Sequence, residues 1–92
     1  MTAPLELDEL RRKIDAVDQK ILEQLRERVG LVLKVGDYKR ANRMDVYDPG
    51  RERSLLERLS GAAENPLDRD FIRNVFQRIV DESRRIEQHH VG

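Results

Sequence analysis

The chain has 92 residues, of which 38% are hydrophobic, 4% aromatic and 39% charged, so it has room for one small domain with a thin aliphatic core. Its 18 Lys and Arg residues balance 18 Asp and Glu residues, and no net charge attracts nucleic acid or an anionic membrane over a distance. The absence of cysteine excludes disulfides, thiolate metal sites and cysteine nucleophiles.

The first predicted element is a long helix from Leu7 to about Arg43. Apolar residues recur there at helical spacing, and no proline interrupts them before Pro49. At about 1.5 Å per residue this helix is about 50 Å long, whereas a compact globule of this size is roughly 30 Å across. The overhanging apolar stripe therefore predicts an intertwined homodimer, in which a second copy covers the stripe about a two-fold axis. The stripe consists of Leu7, Leu10, Ile14, Val17, Ile21, Leu25, Val29, Val32 and Val35.

Two glycines lie inside this predicted helix. Gly30 and Gly36 each cost about 1 kcal/mol relative to alanine in a helix interior. We interpret them as points where helices approach each other closely.

Two shorter helices follow. Asp48 is a preferred N-cap and Pro49 suits the first helical position, so a second helix is predicted from there to Gly61. A connector over 60–66 leads to a third helix that begins near Asp68. The chain is therefore predicted to be all-α, with three helices per chain. The apolar stripe of the third helix is Phe71, Ile72, Val75, Phe76, Ile79, Val80 and Ile86.

Charged residues interrupt the apolar face of the first helix. Positions seven residues apart lie on the same side of this helix. Arg28 shares one such series of positions with aliphatic residues, and Arg11, Asp18 and Lys39 share another series with apolar residues. Because an unpaired buried charge is costly, such groups are normally paired or bound to an opposite charge. Two interpretations stay open: ordinary interhelical ion pairs, or a cationic pocket for a small anion that carries more than one carboxylate.

Further polar residues point to the same region. Ser83 and Glu87 lie one turn apart and continue the apolar face of the third helix, which read alone indicates fraying. Glu52 in the first turn of the second helix is explained by the helix dipole, and Asp48 is explained as a cap. Each of these four residues therefore also has a purely structural interpretation.

The chain resembles the all-α chorismate mutase family of the bacterial type. The resemblance runs from about Leu7 to Gln88 and is carried by three segments in order, LDELRRKIDAVDQKILEQLRERVGLVLKVGDYK, VYDPGRERSLLERL and FIRNVFQRIVDESRRIEQ. It implies an enzyme of aromatic amino-acid biosynthesis that rearranges chorismate to prephenate without cofactor or metal. It is compatible with a standalone enzyme or with the mutase domain of a bifunctional protein.

The resemblance also implies a set of site residues. It assigns substrate binding to Arg11, Arg28, Lys39, Asp48, Glu52, Ser83 and Glu87, with Arg51 in a supporting position. Lys39, Glu87 and Arg28 are the catalytic candidates among them. The equivalent of Arg11 serves the partner's site in this family, which implies two shared sites in each homodimer.

Individual roles follow from the same resemblance. Arg11 and Arg28 are expected to bind the two carboxylates of chorismate, helped by Lys39 and Ser83. The ring hydroxyl is expected to meet Glu52 and the backbone of Asp48, and the breaking ether oxygen is expected to meet Lys39 and Glu87.

One position departs from the common family pattern. Bacterial members commonly carry glutamine where this chain has Glu87. Glutamine always offers an N–H donor, whereas glutamate donates a hydrogen bond only when it is protonated. The pH dependence of the activity is therefore the property most affected.

A non-catalytic helical dimerisation module is the alternative function, with the charges pairing to set the register of a coiled-coil-like interface. The balanced, distributed charge disfavours a helix-turn-helix nucleic-acid binder. His89 and His90 lack further ligands for a metal site. We expect one domain over 1–92 with flexible ends at 1–6 and 89–92. The expected location is cytoplasmic, and the expected partners are chorismate and a second copy, without nucleic acid or membrane.

Overall fold

The computed structural model describes residues 4–92, with side chains from residue 6 onward, and these residues form three helices. The helices are α1 (Pro4–Ala41), α2 (Pro49–Ser60) and α3 (Arg69–Val91). The all-α prediction of three helices with a long first helix is confirmed. Residues 1–3 of the predicted flexible start lie outside the described residues, and α3 continues through the predicted flexible end to Val91.

The end of α1 departs from helical geometry at Arg43, which has φ of 53°. The N–H of Met44 donates to the carbonyl oxygen of Lys39 at 2.8 Å, and the N–H of Arg43 donates to that of Arg40 at 3.3 Å. This pair of bonds is the Schellman arrangement that terminates many helices, here with arginine where glycine is usual. The turn therefore holds the backbone of Lys39 in place.

Side-chain caps define the starts of the other two helices. An Asp48 carboxylate oxygen accepts from the N–H of Arg51 at 3.0 Å. An Asp68 carboxylate oxygen accepts from the N–H of Phe71 at 2.8 Å. Both bonds satisfy N–H groups that have no partner within the first turn of a helix. The predicted starts at Asp48 and Asp68 are confirmed, as is the C-cap at Gly61.

The chain divides into a first compact unit that ends at Leu31 and a second, Val32–Gly92. In the second unit α2 packs against α3. Its buried apolar residues are Leu55, Ile72 and Val80, and its buried polar or charged residues are Ser60, Ser83 and Glu87. Ser60 is accounted for by its hydroxyl, which donates to the carbonyl oxygen of Leu56 one turn earlier. Ser83 makes the same kind of bond to the carbonyl oxygen of Ile79, so Glu87 is the buried polar residue of this unit that its own helix does not explain.

The first unit consists of the N-terminal part of α1. Its apolar stripe is accessible to solvent, with exposed fractions between 42% and 58% at Leu7, Leu10, Ile14, Val17 and Ile21. These five residues thus keep about half of their surface exposed among the described residues. No helix in the described part is long and apolar enough to cross a membrane.

The two glycines of α1 differ in their surroundings. A Cβ atom on Gly36 would lie 3.0 Å from Cγ of Glu87 and 3.0 Å from a methyl carbon of Val91. The close approach predicted at Gly36 is confirmed, with α3 as the neighbour. A Cβ atom on Gly30 would meet nothing within 4 Å among the described residues.

Candidate functional site

Lys39 and Glu87 form an ion pair between the last turn of α1 and the C-terminal part of α3. Lys39 Nζ lies 3.3 Å from Glu87 Oε2 and also donates to the carbonyl oxygen of Val46 at 2.7 Å. The two side chains are 13% and 8% exposed. The ammonium is therefore held by the chain on two sides, and little water reaches the pair.

The carboxylate of Glu87 is only partly satisfied. Its Oε2 atom is buried and accepts no hydrogen bond from any described residue, because the contact with Lys39 has the distance of an ion pair without hydrogen-bond geometry. The close approach of Gly36 restricts where the Glu87 side chain can move. Glu87 thus presents an oxygen that a ligand atom or a proton can satisfy.

Ser83 lies one turn before Glu87 on α3 and is 6% exposed. Its hydroxyl donates to the carbonyl oxygen of Ile79 at 2.6 Å. Both polar side chains are buried within a helix that continues to Val91, so the interpretation of this segment as a frayed end is wrong.

Glu52, in the first turn of α2, is bound by an arginine of α3. Nη1 of Arg84 lies 3.0 Å from both carboxylate oxygens of Glu52, and Nη2 donates to an oxygen of Asp81 at 3.2 Å. The same guanidinium lies over the ring of Tyr47, 4.8 Å from its centroid. This charge-assisted contact joins α2 to α3 and holds the carboxylate of Glu52.

Sequence reasoning missed Arg84. It directly follows Ser83 and lies three residues after Asp81, but only the structure shows that this side of α3 is half-buried. Arginines at neighbouring positions of α3 are exposed, and the sequence pattern does not separate them from Arg84.

The segment 46–48 connects these two charge clusters. The carbonyl oxygen of Val46 accepts from Lys39, and the ring of Tyr47 lies under Arg84. Asp48 caps the helix that carries Glu52, and its carbonyl oxygen accepts from the N–H of Glu52 at 3.1 Å. Three consecutive residues thus position groups on all three helices.

The remaining candidates are Asp48, Arg51, Arg11 and Arg28. Asp48 is exposed and its carboxylate binds the N–H of Arg51, whose side chain is exposed. Arg11 and Arg28 belong to the first unit, where Arg11 is exposed and Arg28 is half-buried and engaged in an interaction. Their roles in substrate binding stay predictions.

The described residues contain no group of three or more His, Cys, Asp and Glu side chains placed to hold a metal ion. Of the two terminal histidines, His90 is engaged with Asp37, at 2.8 Å between Nε2 and Oδ1. The cluster built around Lys39, Ser83 and Glu87 offers a cation, a hydroxyl and a buried carboxyl group. Such groups bind and polarise the oxygens of a small molecule.

The chain matches the family model "Chorismate mutase type II" over residues 10–88. It is 44% identical over 85 residues to the bifunctional chorismate mutase/prephenate dehydratase of Escherichia coli strain K12. This match covers 90% of the chain and 22% of the relative, so the chain spans about a fifth of that protein.

Two further proteins are similar over most of their own length. The 4-amino-4-deoxychorismate mutase of Streptomyces venezuelae is 33% identical over 88 residues, covering 95% of the chain and 85% of that protein. The crystal structure of chorismate mutase from Helicobacter pylori in complex with prephenate has a TM-score of 0.84 and 27% identity, covering 92% of each chain.

Proposed function

The chain belongs to the type II chorismate mutase family, and on this premise we propose that it rearranges chorismate to prephenate. Supporting this proposal are its relatives, named as mutases of chorismate or of its 4-amino analogue, and a structural neighbour that holds prephenate. The structural observation that carries the proposal is the buried Lys39–Glu87 pair, which has an unsatisfied carboxylate oxygen.

The reaction is a unimolecular rearrangement that breaks a C–O bond and forms a C–C bond within one molecule. It requires no nucleophile and no proton transfer to or from the substrate. An enzyme can accelerate it by holding the substrate in the chair-like conformation that brings the two reacting carbons together. It can also stabilise negative charge that grows on the ether oxygen, using donors fixed in place beforehand.

Lys39 and Glu87 are the groups we propose for the ether oxygen. Lys39 is held by its backbone bond to Met44 and by its side-chain bond to Val46, so little reorganisation is needed when charge develops. Its ammonium has three donors, of which the ether oxygen can take one. The low exposure of both side chains strengthens the interaction with that oxygen.

Glu87 must carry a proton in order to donate to the same oxygen, since an ionised carboxylate would repel the developing charge. We propose that Glu87 meets the ether oxygen as a hydrogen-bond donor, beside Lys39 at 3.3 Å.

The other roles are also proposals. The family resemblance supports Arg11 and Arg28 as the groups that bind the substrate carboxylates, with Ser83 assisting and Arg51 in support. Glu52 and the backbone of Asp48 are proposed to bind the ring hydroxyl. The fixed position of Glu52 in the first turn of α2 supports its part in that contact.

A non-catalytic dimerisation module remains the second candidate, because two of its expected features are present. Lys39 pairs with Glu87 and Arg84 pairs with Glu52, as charges in a register-setting interface do. The unbonded Oε2 atom of Glu87 favours the enzyme, since a purely structural pair is expected to satisfy both partners.

The experiment that tests the proposed function is to add purified protein to chorismate and to follow chorismate and prephenate together. We expect one prephenate for each chorismate lost, at a rate proportional to protein. Lys39→Ala is expected to abolish most of this rate, while Lys34→Ala, at an exposed position of the same helix, retains it. Absence of any acceleration by the wild type would favour the dimerisation module.

We also propose that the active form is a homodimer. The exposed apolar stripe of the first unit supports this, because a second copy offers the same stripe as a cover. The cysteine-free composition supports a cytoplasmic location. In the dimer Arg11 is proposed to serve the site of the partner, while Arg28 serves the site of its own chain.

Mixing two inactive variants tests this arrangement. If Arg11→Ala and Arg28→Ala exchange subunits, each heterodimer has one intact site and one doubly damaged site. We expect the mixture to regain activity, because one of the two sites in each heterodimer is intact. If exchange is demonstrated by mass spectrometry and activity does not return, Arg11 does not act in the partner's site.

A further inference from the structure

Arg84 lies outside every role assigned so far, although it is the most heavily engaged arginine of α3. Its guanidinium binds both oxygens of Glu52 and one of Asp81, and it lies over the ring of Tyr47. Its side chain is 27% exposed and that of Glu52 is 19% exposed. These contacts come from a loop and two helices, so the guanidinium cannot leave Glu52 without losing several partners.

The contact between Arg84 and Glu52 determines how much negative charge Glu52 presents to a bound substrate. A carboxylate with four lone-pair sites can accept from Arg84 and still accept a further hydrogen bond. Its negative charge, however, is offset in part by a cation 3.0 Å from both of its oxygens, which Asp81 at 3.2 Å shares. A hydroxyl of the substrate needs only a free lone pair of Glu52 as its acceptor. An ammonium is attracted by the negative charge of Glu52 and repelled by the guanidinium of Arg84, so its binding depends on how far Arg84 offsets that negative charge.

This difference separates two substrates that the relatives of the chain use. The Streptomyces venezuelae relative is named for 4-amino-4-deoxychorismate, which has an amino group where chorismate has a ring hydroxyl. An alkyl amine of this kind is largely a cation at neutral pH. The two substrates therefore differ by one positive charge at ring position 4.

We propose that Arg84, through its contact with Glu52, makes this site select a neutral hydroxyl over an ammonium at ring position 4 of the substrate. This inference rests on the proposed function, because it requires that Glu52 faces that position. Arg84 is then a positioning residue, since it acts on the substrate through Glu52 and through its charge. It discriminates by repulsion against the wrong substrate, which is a common source of specificity.

The test compares kcat and KM for chorismate and 4-amino-4-deoxychorismate in four proteins: wild type, Arg84→Gln, Arg84→Lys and Arg85→Gln. Arg84→Gln removes the charge and Arg84→Lys keeps it. Arg85→Gln is the matched control, because Arg85 is the next residue of α3 and pairs with Glu82 at a 60% exposed position. Thermal unfolding of each variant, followed by circular dichroism, shows that it is folded.

We expect wild type to prefer chorismate, and Arg84→Gln to lower the ratio of the two kcat/KM values by about tenfold, which is about 1.4 kcal/mol. The change should come mainly from a lower KM for the amino substrate. Arg84→Lys should keep most of the preference, and Arg85→Gln should keep all of it.

Other outcomes overturn the inference. If Arg84→Gln lowers kcat/KM equally for both substrates, Arg84 has a structural role only. If Arg84→Lys loses the preference as fully as Arg84→Gln, the charge is not the cause. If wild type rearranges neither substrate, the proposed function itself fails. If wild type rearranges chorismate but Arg84→Gln leaves the ratio of the two kcat/KM values unchanged, only the role of Arg84 is refuted.

Discussion

Two glutamates of the second unit face opposite situations. Glu87 is 6% exposed and has an oxygen without a hydrogen bond among the described residues, beside Lys39 at 3.3 Å. Glu52 has both oxygens bound by Arg84 at 3.0 Å. The same kind of side chain is thus left partly unsatisfied at Glu87 of α3 and held firmly at Glu52 of α2.

The difference indicates a division of roles. A buried group that lacks a hydrogen bond is costly to the fold, and such costs are often concentrated at functional sites. A group that is already paired has a fixed position and a balanced charge. We therefore assign the chemistry to Glu87 with Lys39, and substrate selection to Glu52 with Arg84.

Replacing Glu87 should have the largest effect. Loss of one preorganised donor at a developing negative charge lowers kcat by a factor of about 10²–10³, so the kcat of Glu87→Ala should be lower than that of wild type by this factor. Glu87→Gln keeps a donor and should retain most of the activity near neutral pH. Steady-state kinetics with chorismate measures kcat for both variants. A Glu87→Ala variant with the wild-type kcat would show that Glu87 takes no part in the mechanism.

Replacing Glu52 should have an intermediate effect, because it binds rather than reacts. A hydrogen bond to a charged group contributes about 1.5–3 kcal/mol, so Glu52→Gln should lower kcat/KM by roughly 10–100-fold. Much of the loss should appear in KM. If Glu52→Gln lost as much kcat as Glu87→Ala, the division of roles between Glu52 and Glu87 would be contradicted.

A methyl group at Gly36 should have a smaller effect, which reaches the site through Glu87 and also crowds Val91. Gly36→Ala places a Cβ atom 3.0 Å from Cγ of Glu87, and such overpacking costs about 1–3 kcal/mol. The displaced carboxyl group should lower kcat by about tenfold while leaving KM nearly unchanged.

The control for Gly36→Ala is Gly50→Ala, where the nearest atom to a new Cβ is 3.7 Å away. It should lose neither activity nor stability, because alanine favours a helix by about 1 kcal/mol. Equal kinetics for the two variants would show that the approach of Gly36 does not position Glu87.

Much of the backbone could be predicted from sequence, because its signals are local. The caps at Asp48 and Asp68 combine a polar side chain with the start of an apolar stripe, and the structure places helix starts there. The end of α1 was harder to place, since Arg43 takes the left-handed conformation without the glycine that usually marks it.

The site was only partly predictable for a related reason. The family resemblance points to Lys39 and Glu87, whose contact the structure shows. The contact between Glu52 and Arg84 joins residues 32 positions apart, and a pairing at that distance leaves no periodic pattern in the sequence. Identical arginines on one helix are distinguished only by what packs against them, which requires the fold.

The turnover of Glu87→Gln beside that of Glu87→Ala is the measurement that bears most closely on the role of Glu87, because the two variants differ in whether a hydrogen-bond donor remains at that position. If Glu87 acts by donating to the ether oxygen, the amide of Glu87→Gln should preserve most of the wild-type kcat, whereas Glu87→Ala should lose a factor of about 10²–10³. An equal loss in both variants would contradict this role, because the donor that glutamine offers would then contribute nothing.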